Sequence, residues 1–316
     1  MALRTVFFGS SDSVFSNLHF AALGEATCDT VAVVDVPLAR RTSTNTRTQV
    51  GAPDFVAYAR QHGIPAFEPT SPNRPEFVRA MADLRPDLFL AVGYLGLLKA
   101  EILKVPRLLS ANFHASLLPA YRGKHPLFWA LRNDERWAGL TVHAMSSGLD
   151  TGDILYQVRV RTRRDDSVAS LYDRVIAISL PLVGRLIADA EAGRLRPRPQ
   201  GEVGASYYSS VTEADFRLDW AQPAARIRRW ICVSPGQCYF DVAGQRVFVA
   251  AAELVPGVES VAPSTLLSIA RDNCIVATGK DALRLRRVRT KGGQEQTAAA
   301  WCRGAGLQVG SMLTVI

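Results

Sequence analysis

The chain has 316 residues, 48% of them apolar and 21% charged, with a formal net charge of +8. That length accommodates one large domain and a smaller one, each with its own core, and the composition is that of an ordinary soluble globular protein. No stretch approaches the roughly 18–20 uncharged apolar residues of a membrane helix. Residues 1–8 run directly into a strand pattern without the zones of a signal peptide, so the expected location is cytoplasmic. The positive balance suits anionic partners such as phosphorylated substrates, a polyglutamylated cofactor or RNA, without choosing among them. The five cysteines (Cys28, Cys232, Cys238, Cys274 and Cys302) are odd in number and form no C-x-x-C pair. They read as buried or incidental thiols, not as disulfides or a zinc site.

In chain order, residues 4–8 form a β-rich run that breaks at Gly9-Ser10-Ser11-Asp12, a buried first strand and its turn. Residues 30–35 and 87–92 read as further strands, followed by 110–113 and 140–144. Helix-length segments at 13–23, 54–62, 74–85 and 126–133 separate them. Alternation of this kind predicts an α/β fold with a doubly wound, Rossmann-like, mostly parallel sheet. Ligands in such sheets sit beyond the carboxyl ends of the strands. The first turn lacks the G-x-G-x-x-G pattern, which argues against a dinucleotide cofactor.

A long helix is expected over 168–192, with an apolar stripe at Leu171, Val175, Ile178, Leu182 and Leu186 and a kink at Pro181. The Pro- and Arg-rich stretch 193–201 reads as an exposed connector. After it the pattern changes to short strands at 238–242, 246–251, 273–277 and 282–288, with an Ala243-Gly244 turn. A small OB-like β-barrel is expected there. The domain reading is therefore 1–193, a linker at 194–206, and 207–316.

Asn112 and His114 stand two residues apart at the end of an apolar run, so on a strand they face the same side. Asp150 follows in Gly148-Leu149-Asp150-Thr151-Gly152-Asp153, where a carboxylate on a loop can orient and charge the imidazole. An amide for a developing oxyanion, a base to move a proton and an acid to tune the base are the parts of acyl transfer. Taken singly, such an Asn or Asp is ordinarily a turn former and such a His a satisfied core or surface residue. Their joint spacing carries the functional reading.

The segment Asn112-x-His114-x-Ser116-Leu117-Leu118-Pro119-x-Tyr121-Arg122-Gly123-x-x-Pro126, then Gly139-x-Thr141-x-His143 and Asp150-Thr151-Gly152-Asp153-Ile154, resembles the 10-formyltetrahydrofolate-dependent formyltransferases. The overall plan is similar to the methionyl-tRNA formyltransferase branch and its small-molecule relatives. Further similarity lies at Phe8-Gly9-Ser10, across 87–98, and at Ser234-Pro235-Gly236-Gln237. The resemblance implies Asn112, His114 and Asp150 as catalytic residues. It implies a 10-formyltetrahydrofolate pocket between Gly96, Leu97 and Leu98 on one side and Ser146, Gly148 and Asp150 on the other. Gly9, Ser10, Ser11, Ser116, Tyr121, Arg122 and His125 are expected on the acceptor side, with Ser116 also bonding within its own turn. No metal is implied; His143 is expected buried beside the site.

Three departures bear on the acceptor. Lys124-His125 replaces the usual small residues after Arg-Gly, and the first turn is not Gly-Thr-Pro. The loop 37–48 carries Arg40, Arg41 and Arg47 but lacks the glycine-interrupted basic run of the tRNA enzymes. Arg284, Arg286, Arg287, Arg289 and Lys291 offer a basic edge, yet 201–316 holds 13 basic and 10 acidic residues, a surplus of three. The expected acceptor is therefore a small amine, an amino sugar nucleotide or an amino acid derivative, with initiator methionyl-tRNA as the alternative. A catalytically inactive folate- or RNA-binding protein and a formate-releasing hydrolase are the remaining readings. The sequence does not specify an oligomeric state.

Overall fold

Apolar, β-branched and aromatic runs form β1 (Leu3–Phe8), β2 (Cys28–Val34), β3 (Ala66–Phe67), β4 (Leu88–Val92) and β5 (Leu109–His114). Between them lie α1 (Val14–Gly24), α2 (Phe55–Gln61), α3 (Pro75–Asp83) and α4 (Ala100–Leu103). The computed structural model describes residues 2–37, 54–258 and 260–313. Ser13 caps α1 by accepting from Ser16 N, and Asp54 caps α2 by accepting from the Val56 and Ala57 N–H groups. Each satisfies donors that a helix start leaves open.

The chain continues through β6 (Arg122–Gly123), α5 (Pro126–Arg132), β7 (Trp137–Ala144), β8 (Ile154–Arg161), α6 (Val168–Ser179), α7 (Pro181–Glu191) and β9 (Tyr207–Tyr208). It divides into two compact units. The first comprises Met1–Pro126, Trp137–Arg161 and Tyr172–Tyr208; the second comprises Leu127–Arg136, Thr162–Leu171 and Ser209–Ile316.

The first unit is built on a seven-stranded sheet of order β3-β2-β1-β4-β5-β7-β8. Strands β1 to β5 pair in parallel, whereas β7 and β8 join antiparallel, so the sheet is mixed at one edge. A parallel strand covered on both faces needs apolar side chains throughout, and all five residues of β4 are buried. One core cluster gathers Val6, Phe8, Phe89, Met81 and Ile102. Each such side chain contributes about 1.5–3 kcal/mol by leaving water. The strand order reverses between β1 and β4, the switch point where doubly wound sheets open a crevice. Gly9-Ser10-Ser11 leaves β1 and residues 93–98 leave β4 on either side of it.

Three features differ from the sequence reading. The strand β8 is additional; it is an edge strand whose Arg159 and Arg161 are exposed, which protects it from pairing with other chains. The long helix is two helices, because Pro181 has no N–H and ends the ladder instead of bending it. The stretch after α7 is bonded to the first unit: Arg198 and Ile154 exchange backbone hydrogen bonds of 2.9 and 2.8 Å, and β9 pairs in parallel with β6.

The second unit carries the smaller OB-like β domain as a six-stranded antiparallel sheet. Its strands are β10 (Tyr239–Val242), β11 (Gln245–Val255), β12 (Leu266–Ile269), β13 (Cys274–Ala277), β14 (Ala282–Thr290) and β15 (Gln296–Thr297). Helices α8 (Ala224–Val233) and α9 (Ala298–Gly304) close a core of Trp220, Ile227, Trp230, Phe240, Val249 and Trp301. The buried Arg229 of α8 donates to the carbonyls of Leu131, Arg163 and Arg164, which ties two short upstream segments into this unit. All five cysteines are free. Among the described residues no helix is long and apolar enough to cross a membrane.

Candidate active site

The geometry of the site follows from the register of β5. Asn112 lies opposite Ala91 of β4 on one side and opposite His143 of β7 on the other. Two residues on, His114 shares the Asn112 face and lies opposite Thr141. Asn112 Nδ2 donates to His143 Nε2 at 3.1 Å and reaches Asp150 Oδ1 at 3.4 Å. The second contact is longer than the usual 2.7–3.2 Å and correspondingly weaker.

Asp150 arrives on the loop between β7 and β8. Gly152 makes that loop possible, since a Cβ there would collide with the Ala144 carbonyl. Asp150 itself sits at φ +53°. Its Oδ2 accepts from the Gly123 N–H at 2.8 Å and lies 3.7 Å from His114 Nδ1; its Oδ1 lies 3.5 Å from His143 Nε2. Gly123, at φ +100°, is held against the Tyr208 carbonyl so closely that no side chain fits. The three groups expected to converge are thus in one cluster, and His143 is a fourth.

Hydrogen bonding fixes the tautomers. His114 Nε2 lies 2.8 Å from the Tyr121 carbonyl, which can only accept, so Nε2 carries the proton. His143 Nδ1 is likewise protonated by its 3.0 Å contact with the Ala144 carbonyl, leaving Nε2 to accept from Asn112. The basic nitrogen of neutral His114 is therefore Nδ1, which faces a carboxylate. Burial lowers the His114 pKa below 6.5, and the Asp150 charge and the Tyr121 carbonyl offset this only in part. Burial alone would raise the Asp150 pKa. The charge of His114, the hydrogen bond of His143 and the Gly123 N–H outweigh it and bring the pKa down to about 2. A neutral His114 supplies no charge, so in the resting site the Gly123 N–H, and more weakly the Asn112 amide, keep Asp150 ionised. His114 donates to Tyr121 O in either state, but the 3.7 Å approach to Asp150 becomes an ion pair only when the ring is protonated, so the surroundings match the charged state better than the resting one.

The other residues singled out in the sequence are placed as follows. Leu97 is 56% exposed, and the side chain of Asn73 grips its loop by donating to Leu97 O and accepting from Lys99 N. Gly96 packs against the Tyr94 ring, and Leu98 points into the core at 2% exposure. Because Val92 is the register partner of Phe113, the 93–98 loop begins beside Asn112 and His114. Ser146 Oγ contacts Thr151 Oγ1 at 2.9 Å, and Gly148 lies against Thr151. With Leu95 and Leu149 also exposed, apolar side chains and backbone groups are available on both loops for a flat heteroaromatic ring.

On the expected acceptor side, Gly9 packs under Phe7 and Phe55. Ser10 bonds Asp12, and the Ser11 hydroxyl donates to Asp35 at 2.6 Å. These positions lie two strands from β5, about 10 Å at ordinary spacing. The Ser116 hydroxyl donates to Ala120 O within its own turn. Tyr121 supplies the carbonyl for His114 and stacks on Tyr208 with ring centroids 5.0 Å apart. His125 is half-buried, and burial followed by the Lys124 charge lowers its pKa. Arg122 is not at the site surface: its side chain is 1% exposed and bonded to Gln200, Glu202 and Tyr207, so it builds the site from below. The sequence reading missed Gln200 and Tyr208; no periodicity or motif marks either. Among the described residues, no group of three or more His, Cys, Asp or Glu is arranged to hold a metal ion.

A doubly wound α/β unit with an amide, an imidazole and a carboxylate gathered at a strand end, followed by an antiparallel β unit, is the plan of a group-transfer enzyme. Residues 3–179 match the family described as formyl transferase, and residues 210–306 match the formyl transferase C-terminal domain. The chain belongs to the formyltransferase family. It is 32% identical over 329 aligned residues, 99% of each chain, to a methionyl-tRNA formyltransferase of Synechococcus sp. (strain JA-3-3Ab). Identity to that of Pseudomonas paraeruginosa (strain DSM 24068 / PA7) is 36% over 295 residues, 92% of this chain and 93% of the other. An N-formyltransferase of Helicobacter canadensis, solved with folinic acid and dTDP-3-aminofucose, has the same fold. Its TM-score is 0.66 at 15% identity, covering 90% of this chain and 99% of that one. HypX from Aquifex aeolicus superposes with a TM-score of 0.60 at 20% identity; the match covers 98% of this chain and only 49% of HypX.

Proposed function

We propose that this formyltransferase moves the formyl group of 10-formyltetrahydrofolate onto the primary amine of a small biosynthetic acceptor, an amino sugar nucleotide or an amino acid derivative. The exposed Leu97 and Leu149 and the loops that carry them suit the pterin of the donor. The amine attacks the formyl carbon; a carbon–nitrogen bond forms to the acceptor and the bond to the folate nitrogen breaks. Asn112 keeps one amide hydrogen on His143 and turns the other, held only weakly by Asp150, towards the oxyanion. Such a donor is worth about 3–4 kcal/mol. His114 Nδ1 takes the amine proton and returns it to the departing nitrogen, a step worth about 10²–10⁴ in rate. Asp150, 3.7 Å away, stabilises the imidazolium between the two transfers.

The observation that carries the choice of acceptor is the state of the basic edge on β14. Arg284 and Arg286 both bond Glu253, Arg287 bonds Glu295 at 2.8 Å, and Arg289 lies over the Phe248 ring. Three of these arginines face two glutamates, which leaves a smaller positive field for a phosphate backbone. The loop 38–53 lies outside the described residues.

Initiator methionyl-tRNA is the second reading, favoured by 32–36% identity to methionyl-tRNA formyltransferases along nearly the whole chain. A competition assay separates the two: kcat/KM is measured with the formyl donor and either charged initiator tRNA or a panel of amino sugar nucleotides and amino acid derivatives. A higher value for a small amine, little affected by salt, is expected. Efficient tRNA formylation that weakens steeply with salt supports the second reading.

A further inference from the structure

Asp150 is fixed at two points, its carboxylate and its backbone. Its φ of +53° lies in the left-handed region, which a residue with a Cβ adopts when its surroundings impose it. Gln200 supplies that constraint. Its Nε2 donates to the Asp150 carbonyl at 2.8 Å and to the Gly152 carbonyl at 2.6 Å, so it bridges the loop on both sides of Thr151. Its Oε1 accepts from Arg122 Nη2 at 2.9 Å and Nε at 3.3 Å.

Arg122 is equally constrained. Its Nη1 donates to the Tyr207 hydroxyl at 2.7 Å, and Glu202 lies 3.4 Å away. The next residue, Gly123, donates its N–H to Asp150 Oδ2. The contacts close a circuit: Asp150 carbonyl, Gln200, Arg122, Gly123 and back to the Asp150 carboxylate. Only a side-chain amide closes it, since two carbonyls need a donor and a guanidinium needs an acceptor; Glu lacks the donor and Lys the acceptor.

We infer that Gln200 is a positioning residue for formyl transfer, acting through Asp150 by fixing the loop that sets its carboxylate against His114. The inference rests on the proposed role of Asp150. Removing the bridge lets the loop relax and the 3.7 Å approach to Nδ1 widen, so stabilisation of the imidazolium is lost, and the donor-pocket wall carried on the same loop relaxes with it.

The test is a double-mutant cycle on the full-length enzyme with Gln200→Met and Asp150→Asn, reading kcat, the KM for 10-formyltetrahydrofolate and the pH profile. Gln200→Met is expected to lower kcat about 10–100-fold, the usual loss for a partner behind a reacting group, and a rise in KM reports the donor-pocket wall on the same loop. Within the Asp150→Asn background the same substitution is expected to cost less than about threefold, because the group it positions is gone. Its acid limb is expected to shift in the same direction as that of Asp150→Asn. Gln200→Glu, which keeps the Arg122 contact and sets a carboxylate oxygen against the two carbonyls in place of the donors, gives a second variant for the same cycle should Gln200→Met not fold. Losses that simply multiply in the double variant, or wild-type kcat in both Gln200 variants while Asp150→Asn is inactive, overturn the inference. Near-wild-type turnover of Asp150→Asn alone instead overturns the catalytic reading beneath it.

Discussion

Asn112 Nδ2 donates to His143 Nε2 across 3.1 Å, and the two residues are direct register partners on β5 and β7. An amide has two hydrogens; with one committed to His143, rotation about its last side-chain bond is blocked and the other is aimed. Without the imidazole, Asn112 can turn towards Asp150 or swap its oxygen and nitrogen. His143→Ala is therefore expected to reduce kcat by roughly tenfold, part of the full loss of such a donor, with the KM for the formyl donor unchanged. Steady-state kinetics of purified His143→Ala decide it: unaltered kcat means the amide needs no anchor.

The acid limb of activity has a defined sign. Burial first, then the nearby His143, lowers the His114 pKa, so its base form survives below pH 6.5 and the rate falls only as pH drops further. Asp150 is the charge that resists this shift. In Asp150→Asn the acid limb is expected to move to lower pH, while the plateau drops by about 10²-fold or more because the imidazolium loses its partner. A limb that moves upward, read from kcat/KM against pH, contradicts the assigned geometry.

The parts of the site visible in the sequence are those set by local spacing. Asn112 and His114 share a face because strand side chains alternate, whichever strands flank them. The uniform burial of β4 is likewise written in its five apolar residues. The partnership of Asn112 with His143 depends on an antiparallel register between residues 31 apart, and no local pattern encodes that choice. Arg122 is implied on the acceptor side by the family resemblance. It is buried because Gln200 and Tyr207, 78 and 85 residues onward, return to satisfy it. Gln200 lies in a Pro- and Arg-rich stretch whose composition matches a solvated connector. Strand β8 carries the alternation of a half-buried strand at Tyr156-Gln157-Val158-Arg159-Val160-Arg161, so it is legible in the sequence, and the sequence reading passes over it.

His19 makes stability depend on pH away from the active site. It is fully buried, with Nδ1 donating to Phe15 O at 2.7 Å and Nε2 beside the Ser179 hydroxyl at 2.9 Å, and burial lowers its pKa to about 4 despite the Phe15 carbonyl. The unfolded chain binds this proton near pH 6.5, so folding must exclude it. The contribution is complete above pH 6.5 and declines as pH falls towards 4, by about 2 kcal/mol at pH 5. Urea unfolding of wild type and His19→Gln at pH 7.5 and 5 tests this. The variant, starting from lower stability, is expected to show the smaller drop, and equal drops count against His19 as the source.

Arg229 places the heaviest polar demand on the second unit. Its guanidinium, 8% exposed, donates to Leu131 O at 3.3 Å, Arg163 O at 2.7 Å and Arg164 O at 3.0 Å, and Asp134 lies 3.7 Å away. These carbonyls belong to two segments far upstream of α8, and two of them also accept from backbone, Leu131 O from the Asp134 N–H at 3.1 Å and Arg163 O from the Asp166 N–H at 3.1 Å, so the side chain reinforces turns that are already bonded. Truncation takes the side-chain donor from Arg164 O and one of two donors from each of the other carbonyls, at about 1–3 kcal/mol for an acceptor left bare. Arg229→Met, which keeps the aliphatic bulk, is expected to lose about 1–3 kcal/mol. Arg229→Lys is expected to recover only part, because a single ammonium cannot span carbonyls that the planar fork reaches together. Denaturant melts of the two variants give the ranking, and hydrogen exchange at 127–136 and 162–171 gives the place. A Lys variant as stable as wild type means a point charge suffices, and unchanged protection in those segments means that Arg229 does not hold them.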